Sequence, residues 1–109
     1  MNDDERAILW LAIEDFSGTW EVVWQFRALR HQDSDVELNQ RAEDVLARLP
    51  QRGWVDLYHC EEPYGKLSKL PSGETDSILG EASAWEAPQA EAVSKRICAT
   101  AEGRKVYEQ

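Results

Sequence analysis

The sequence predicts a mainly α-helical domain with a small antiparallel β element near its C-terminal end, and three observations predict it. Apolar residues recur at helical spacing through the first 49 residues, in three runs divided by polar or glycine-containing breaks. Residues 54–60 and 93–99 change to a period of two, the spacing of strands with one face turned inward. A length of 109 residues with 42% hydrophobic and 30% charged side chains matches one domain, taken as residues 1–109, and leaves no room for a second core.

The first helix is expected from Asn2, which can cap, with Glu5 as capping-box partner and Asp3 and Asp4 set favourably against the helix dipole. Leu9, Ile13 and Phe16 fall at i, i+4 and i+7 and Ile8, Leu11 and Ala12 widen the stripe, so this helix is expected to be largely buried and to run to about Phe16. Ser17-Gly18-Thr19 ends it, and Thr19 is expected to cap a second helix with Val22, Val23, Phe26 and Leu29 on one face. Trp20 and Trp24 form an i, i+4 pair beside that face. Ser34 and Glu37 make a second capping box, and Leu38, Ala42, Val45 and Leu49 define a third amphipathic helix over 35–49. Pro50 removes an amide donor near its end, and Gly53 can take the left-handed conformation that closes a helix.

In the strand that follows, Val55, Leu57 and His59 point one way and Trp54, Asp56, Tyr58 and Cys60 the other. Residues 93–99 form its natural hairpin partner, and pairing Val55 with Ala99 would set Cys60 against Ser94. The 32 residues between, 61–92, are punctuated by Pro63, Gly65, Pro71, Gly73, Gly80 and Pro88 and are too long for a simple loop. Ile78, Leu79, Ala82 and Trp85 mark a short amphipathic helix inside this excursion, with Trp85 expected to hold it against the body of the domain. Thr100 is placed to cap a last short helix, 101–108.

Twelve Lys and Arg stand against twenty-one Asp and Glu, a formal charge of −9, opposite in sign to the footprint of a strong non-specific nucleic-acid binder. The acid concentrates in residues 1–21 and 61–92, each with net −5, whereas 93–109 carries +2. The longest apolar run, Ala7 to Ile13, is far below the ~20 residues of a bilayer span and the chain opens on acids, so neither membrane insertion nor export is expected. Two cysteines make no disulfide framework, and reduced Cys60 and Cys98 in a cytoplasmic protein are the expectation.

Two stretches sharpen the order of elements into a resemblance. Leu49-Pro50-Gln51-Arg52-Gly53-Trp54-Val55 leads from the third helix through leucine, three residues, glycine and an aliphatic position into a strand. Thr100-Ala101-Glu102-Gly103-Arg104 forms a T-x-x-G-R segment that leaves the returning strand and opens the next helix. With three helices, a strand, a long tip and a returning strand, the chain resembles the winged helix-turn-helix domains of MarR-type and PadR-type transcriptional regulators over about 5–60 and 93–107. That resemblance implies a DNA-binding transcriptional regulator that reads a two-fold site as a homodimer, with the third helix as recognition helix.

On that helix Asn39, Gln40, Arg41 and Arg48, and on the wing Lys66, Lys69, Lys95 and Arg96, carry the side-chain types that contact base edges or phosphate. Their competing role is structural, since Glu37 and Asp44 stand one turn before Arg41 and Arg48 in the favourable acid-first order. The acids on the helix and the enlarged acidic wing allow an alternative, placed second to DNA binding: an acidic winged-helix protein-protein interaction module that does not bind DNA, with Trp54, Tyr58 and Trp85 as candidate partner contacts. Trp10, Trp20 and Trp24 are assigned to the core.

No phosphate-binding loop, dinucleotide fingerprint, G-x-S-x-G elbow or H-E-x-x-H is present, so no catalytic residues are assigned and no enzyme is expected. Glu61-Glu62 are neighbours that strand geometry sends to opposite faces. His31, His59, Cys60 and Cys98 lack metal-ligand spacing, so neither a metal nor a cofactor is expected.

Overall fold

Asn2 starts α1 (Asp3–Glu14) in the computed structural model, which describes residues 1–14, 16–62, 65–88 and 93–109. Its side-chain oxygen accepts from the Glu5 N–H at 2.8 Å while its own N–H donates to the Glu5 carboxylate at 3.0 Å, the reciprocal capping box. The helix stops two residues short of Phe16, because Ser17-Gly18 leave it as a two-residue strand, β1, that the sequence pattern did not reveal. Gly18, rather than Thr19, caps α2 (Thr19–Leu29), with its N–H donating to the Glu21 carboxylate. The Thr19 hydroxyl is buried and donates instead to the Ala84 carbonyl, 65 residues away. Leu29, expected on the inner face of α2, is 57% exposed in its last turn.

Ser34 caps α3 (Asp35–Gln51) by accepting from the Glu37 N–H at 3.2 Å. The helix runs through Pro50, past the expected end at Leu49, and then closes in two bonds: Gly53 N–H to the Pro50 carbonyl and Trp54 N–H to the Leu49 carbonyl, both 3.0 Å. This 6→1 and 5→2 pattern is a Schellman closure, and it requires the left-handed residue that Gly53 supplies at φ 74°.

The chain then enters β2 (Val55–Glu61), passes β3 (Leu67–Lys69) and α4 (Thr75–Leu79), makes a 3-10 turn over Ala82–Trp85 and returns as β4 (Val93–Ala99). The short helix expected in the excursion is therefore split into α4 and the following turn, with Ile78, Leu79, Ala84 and Trp85 buried. The antiparallel sheet has the order β1-β4-β2-β3, and Val55 faces Ala99 in the register that sets Cys60 against Ser94. α5 (Ala101–Glu108) closes the chain. The described residues thus form a mainly helical fold of five helices and a small four-stranded antiparallel sheet.

One core joins these layers: Ile8 and Leu9 of α1, Val22 and Phe26 of α2, and Leu38, Leu46 and Leu49 of α3 meet Val55 and Ile97 of the sheet, with Leu79 added from the excursion. Burial alternates along β2 only as far as Tyr58. Cys60, expected on the outward face, is fully buried, because at that end of the sheet the outward face is itself covered. There the Glu62 carboxylate accepts from Ser94 Oγ at 2.6 Å and from Arg96 at 2.7 Å, the Arg96 guanidinium donates to the Phe16 carbonyl at 2.8 Å, and the Phe16 ring meets Tyr58 edge-on.

The two stretches singled out in the sequence touch each other. Thr100 N–H donates to the Trp54 carbonyl at 3.0 Å, its hydroxyl donates to the Gly53 carbonyl at 2.6 Å and the same oxygen accepts from Gly103 N–H at 3.0 Å. Gly103 is buried so closely on Trp54 that a Cβ there would collide with the Trp54 carbonyl oxygen. Replacing a helical glycine by alanine ordinarily stabilises by up to about 1 kcal/mol. Here overpacking against backbone outweighs that gain, and Gly103→Ala is expected to destabilise by about 2 kcal/mol in urea unfolding. Thr100→Ala, which loses the cap, is expected to cost about 1 kcal/mol. A Gly103→Ala protein as stable as the parent would contradict the close approach.

Candidate interaction face on the third helix

The outward face of α3 is set by where its arginines go. Arg41 does not pair with Glu37 one turn earlier, the structural role weighed for it; it turns inward and donates to Asp4 of α1 at 3.0 Å. Asp4 also accepts two bonds from Arg30 at the end of α2, at 2.9 and 3.1 Å, so one carboxylate ties α1 to α2 and α3. Arg52, just past α3, donates to the buried carboxylate of Glu5. Arg48 is exposed and forms no ion pair with a described residue, so the expected Asp44–Arg48 pair is not made either. Asp44 instead accepts from Gln40 Nε2 at 2.9 Å.

These choices leave Glu37 and Asp44 on the outer face without an ion pair to a described residue, although Arg48 lines the same groove, while Arg30, Arg41 and Arg52 engage carboxylates of the first helix. The face is concave. A groove of about 590 Å³ runs along it, lined by Asp33, Val36, Glu37, Gln40, Asp44 and Arg48 with Arg41 and Val45 at its floor. A second groove of about 300 Å³ shares Val36 and Gln40 and adds Asn39 and Glu43 of α3, with Gly80, Ala82, Trp85 and Glu86 from the excursion. The segment after α4 therefore flanks the third helix and brings another acid to it. Val36, in the first turn of α3, is 78% exposed at the junction of the two grooves.

The other candidate nucleic-acid contacts are scattered. Lys66 is exposed and Lys95 half-buried, whereas Lys69 lies 3.7 Å from Asp56 across the sheet. Arg96 is committed to Glu62 and the Phe16 carbonyl, with its guanidinium over the Trp20 ring at 5.2 Å, so this position braces the sheet. Of the eight candidates, Asn39, Gln40, Arg48, Lys66 and Lys69 are exposed, the first three on α3.

Of the five tryptophans, Trp20 keeps its expected place in the core and Trp85 takes the holding role weighed beside its partner role. Trp85 is buried and its indole N–H donates to the Leu79 carbonyl at 3.0 Å, so it pins the excursion instead of anchoring a partner. Trp54 is half-buried against the core with Arg52 stacked over it at 5.0 Å. Tyr58 is half-buried against Phe16, and burial first, then Asp56 and Cys98, raise its phenol above the ordinary value. Trp10 and Trp24, assigned to the core, are 43% and 52% exposed, and only Trp20 of that group is buried.

Other chemistry is sparse among the described residues. No three His, Cys, Asp or Glu side chains gather as a metal site requires, and both cysteines are free thiols. His59 sits opposite Lys95; burial and that lysine hold its imidazole below the ordinary range, partly offset by Glu74 and Glu81 of the excursion. No helix is long and apolar enough to cross a membrane.

Burial raises the Glu5 carboxyl, but the Asn2 N–H and the Arg52 and Arg48 guanidinium groups together outweigh it and hold the group below its ordinary value of 4.5. A carboxyl depressed on folding stabilises the native state above the unfolded-state value, and that stabilisation disappears as pH falls through the native one. Glu5→Gln is therefore expected to cost roughly 1–2 kcal/mol near pH 7. The gap between parent and variant should close as the pH is lowered below 4.5 in denaturation experiments; a gap independent of pH would contradict the ionised Glu5–Arg52 pair.

Comparison with protein-family models, curated proteins and solved structures finds no match to this chain.

Proposed function

We propose that this chain is a winged-helix protein that acts by docking rather than by catalysis, and that the outer face of its third helix receives a protein partner. The order of elements supports the fold reading: three helices, a short strand between the first two that joins the returning strand of a hairpin, and the third helix leading directly into that hairpin. Fold alone does not choose a partner, so the site must. The observation that carries the choice is the engagement of Arg41 by Asp4 and of Arg52 by Glu5, which leaves Arg48 as the cation of the third helix without an ion pair among the described residues, against Asp33, Glu37 and Asp44 on the same groove. A helix entering the major groove lies between two rows of phosphates, and carboxylates at its surface oppose that approach.

DNA binding as a dimeric transcriptional regulator is the second reading, and one observation favours it. Asn39, Gln40 and Arg48 are exposed together on α3 and have the chemistry that reads base edges.

A fluorescence-polarisation titration against a mixed-sequence duplex separates the two. The proposal expects a dissociation constant weaker than about 100 µM even at low salt, outside the range of non-specific DNA binders. Tighter binding that falls steeply as salt rises would replace it with the regulator reading.

A further inference from the structure

The grooves on α3 point to the chemistry of the occupant, an inference that rests on the protein-docking reading above. We propose that the outer face of α3 binds a basic amphipathic segment of a partner protein, with an aliphatic side chain seated on Val36 and Lys or Arg groups over Glu37 and Asp44. Val36 gives the apolar contact, since it is 78% exposed at the one place where both grooves meet. Glu37 and Asp44 give the charge: Asp4 engages Arg41, neither carboxylate forms an ion pair with a described residue, and together with Asp33 they outnumber Arg48, the other cation that lines the first groove. Glu43 and Glu86 extend the same sign along the second groove. Seven residues of helix separate Glu37 from Asp44, about 10 Å or two turns, so a helical partner matches them with cations seven positions apart on one face. Charge complementarity selects this occupant over nucleic acid, whose phosphates repeat the sign of the face. A second copy of the chain is disfavoured by the same rule, since each copy carries −9.

The test is an amide-shift titration of the isotope-labelled full chain with a 14-residue amidated probe peptide of lysine and leucine, leucines at helical spacing. A glutamate-leucine peptide of the same pattern and an all-lysine peptide serve as comparisons. The expected shifts cluster at Val36, Glu37, Gln40 and Asp44. Val36→Ser is expected to weaken binding about fivefold and Glu37→Lys with Asp44→Lys more than tenfold. All three positions are exposed, so unchanged melting curves establish that the variants fold. Equal binding of the all-lysine peptide, indifference to Val36→Ser, shifts spread over every acidic surface, or no shift at millimolar probe would each overturn the proposal. Movement of the same amides on dilution of the chain alone would assign the face to a second copy and overturn it as well. Duplex DNA that binds at low salt would instead overturn the docking reading itself, so the two failures are distinguishable.

Discussion

Two adjacent carboxylates in the first turn of α1 organise the helical half of this molecule. Asp4 takes Arg30 from the end of α2 and Arg41 from the middle of α3, and Glu5 takes Arg52 from just beyond α3 while completing the capping box that starts its own helix. Exposed ion pairs contribute little, but here the carboxylates are largely withdrawn from water and each holds more than one donor, while the arginine side chains remain 38%, 40% and 42% exposed, so the charge that must stay matched is the carboxylate's. Of the three arginines only Arg41 belongs to α3, and Asp4 draws it toward α1 instead of leaving it to pair with Glu37 one turn earlier.

A second constraint joins the helices to the sheet. The Schellman closure at Gly53 turns the chain out of α3, and the carbonyls of Gly53 and Trp54 exposed by that turn receive the hydroxyl and N–H of Thr100. α5 therefore begins where α3 ends, and Gly103 lets it approach the Trp54 backbone. These features were legible in the sequence because each is local: a cap with its partner three residues on, a glycine one step past a helix, a period of two. Their meeting in space was not legible from either motif alone, yet it explains why both stretches carry their particular residues.

What the sequence concealed was non-local. Arg41 has Glu37 one turn before it, and the helical rule favours that pair; an acid 37 residues earlier wins because the α1–α3 contact holds Asp4 within reach and largely out of water. β1 is two residues long, too short for any period, and exists only because β4 lies alongside. Thr19 looks like a cap, but Ala84 presents a buried carbonyl that its hydroxyl satisfies. Trp10 and Trp24 lie outside the core for a related reason: a position beside an apolar stripe does not say whether another element covers it. The excursion covers itself with Trp85, while nothing among the described residues covers most of Trp24.

The outer face of α3 is expected to be electronegative although the helix carries two arginines. The most direct measurement compares paramagnetic relaxation of backbone amides by a cationic and an anionic nitroxide cosolute of the same size. The amides of Val36, Gln40 and Asp44 are expected to be relaxed more strongly by the cationic probe, and Asp4→Asn, which frees Arg41 from its partner, is expected to reduce the difference. Stronger relaxation by the anionic probe along this face would contradict it.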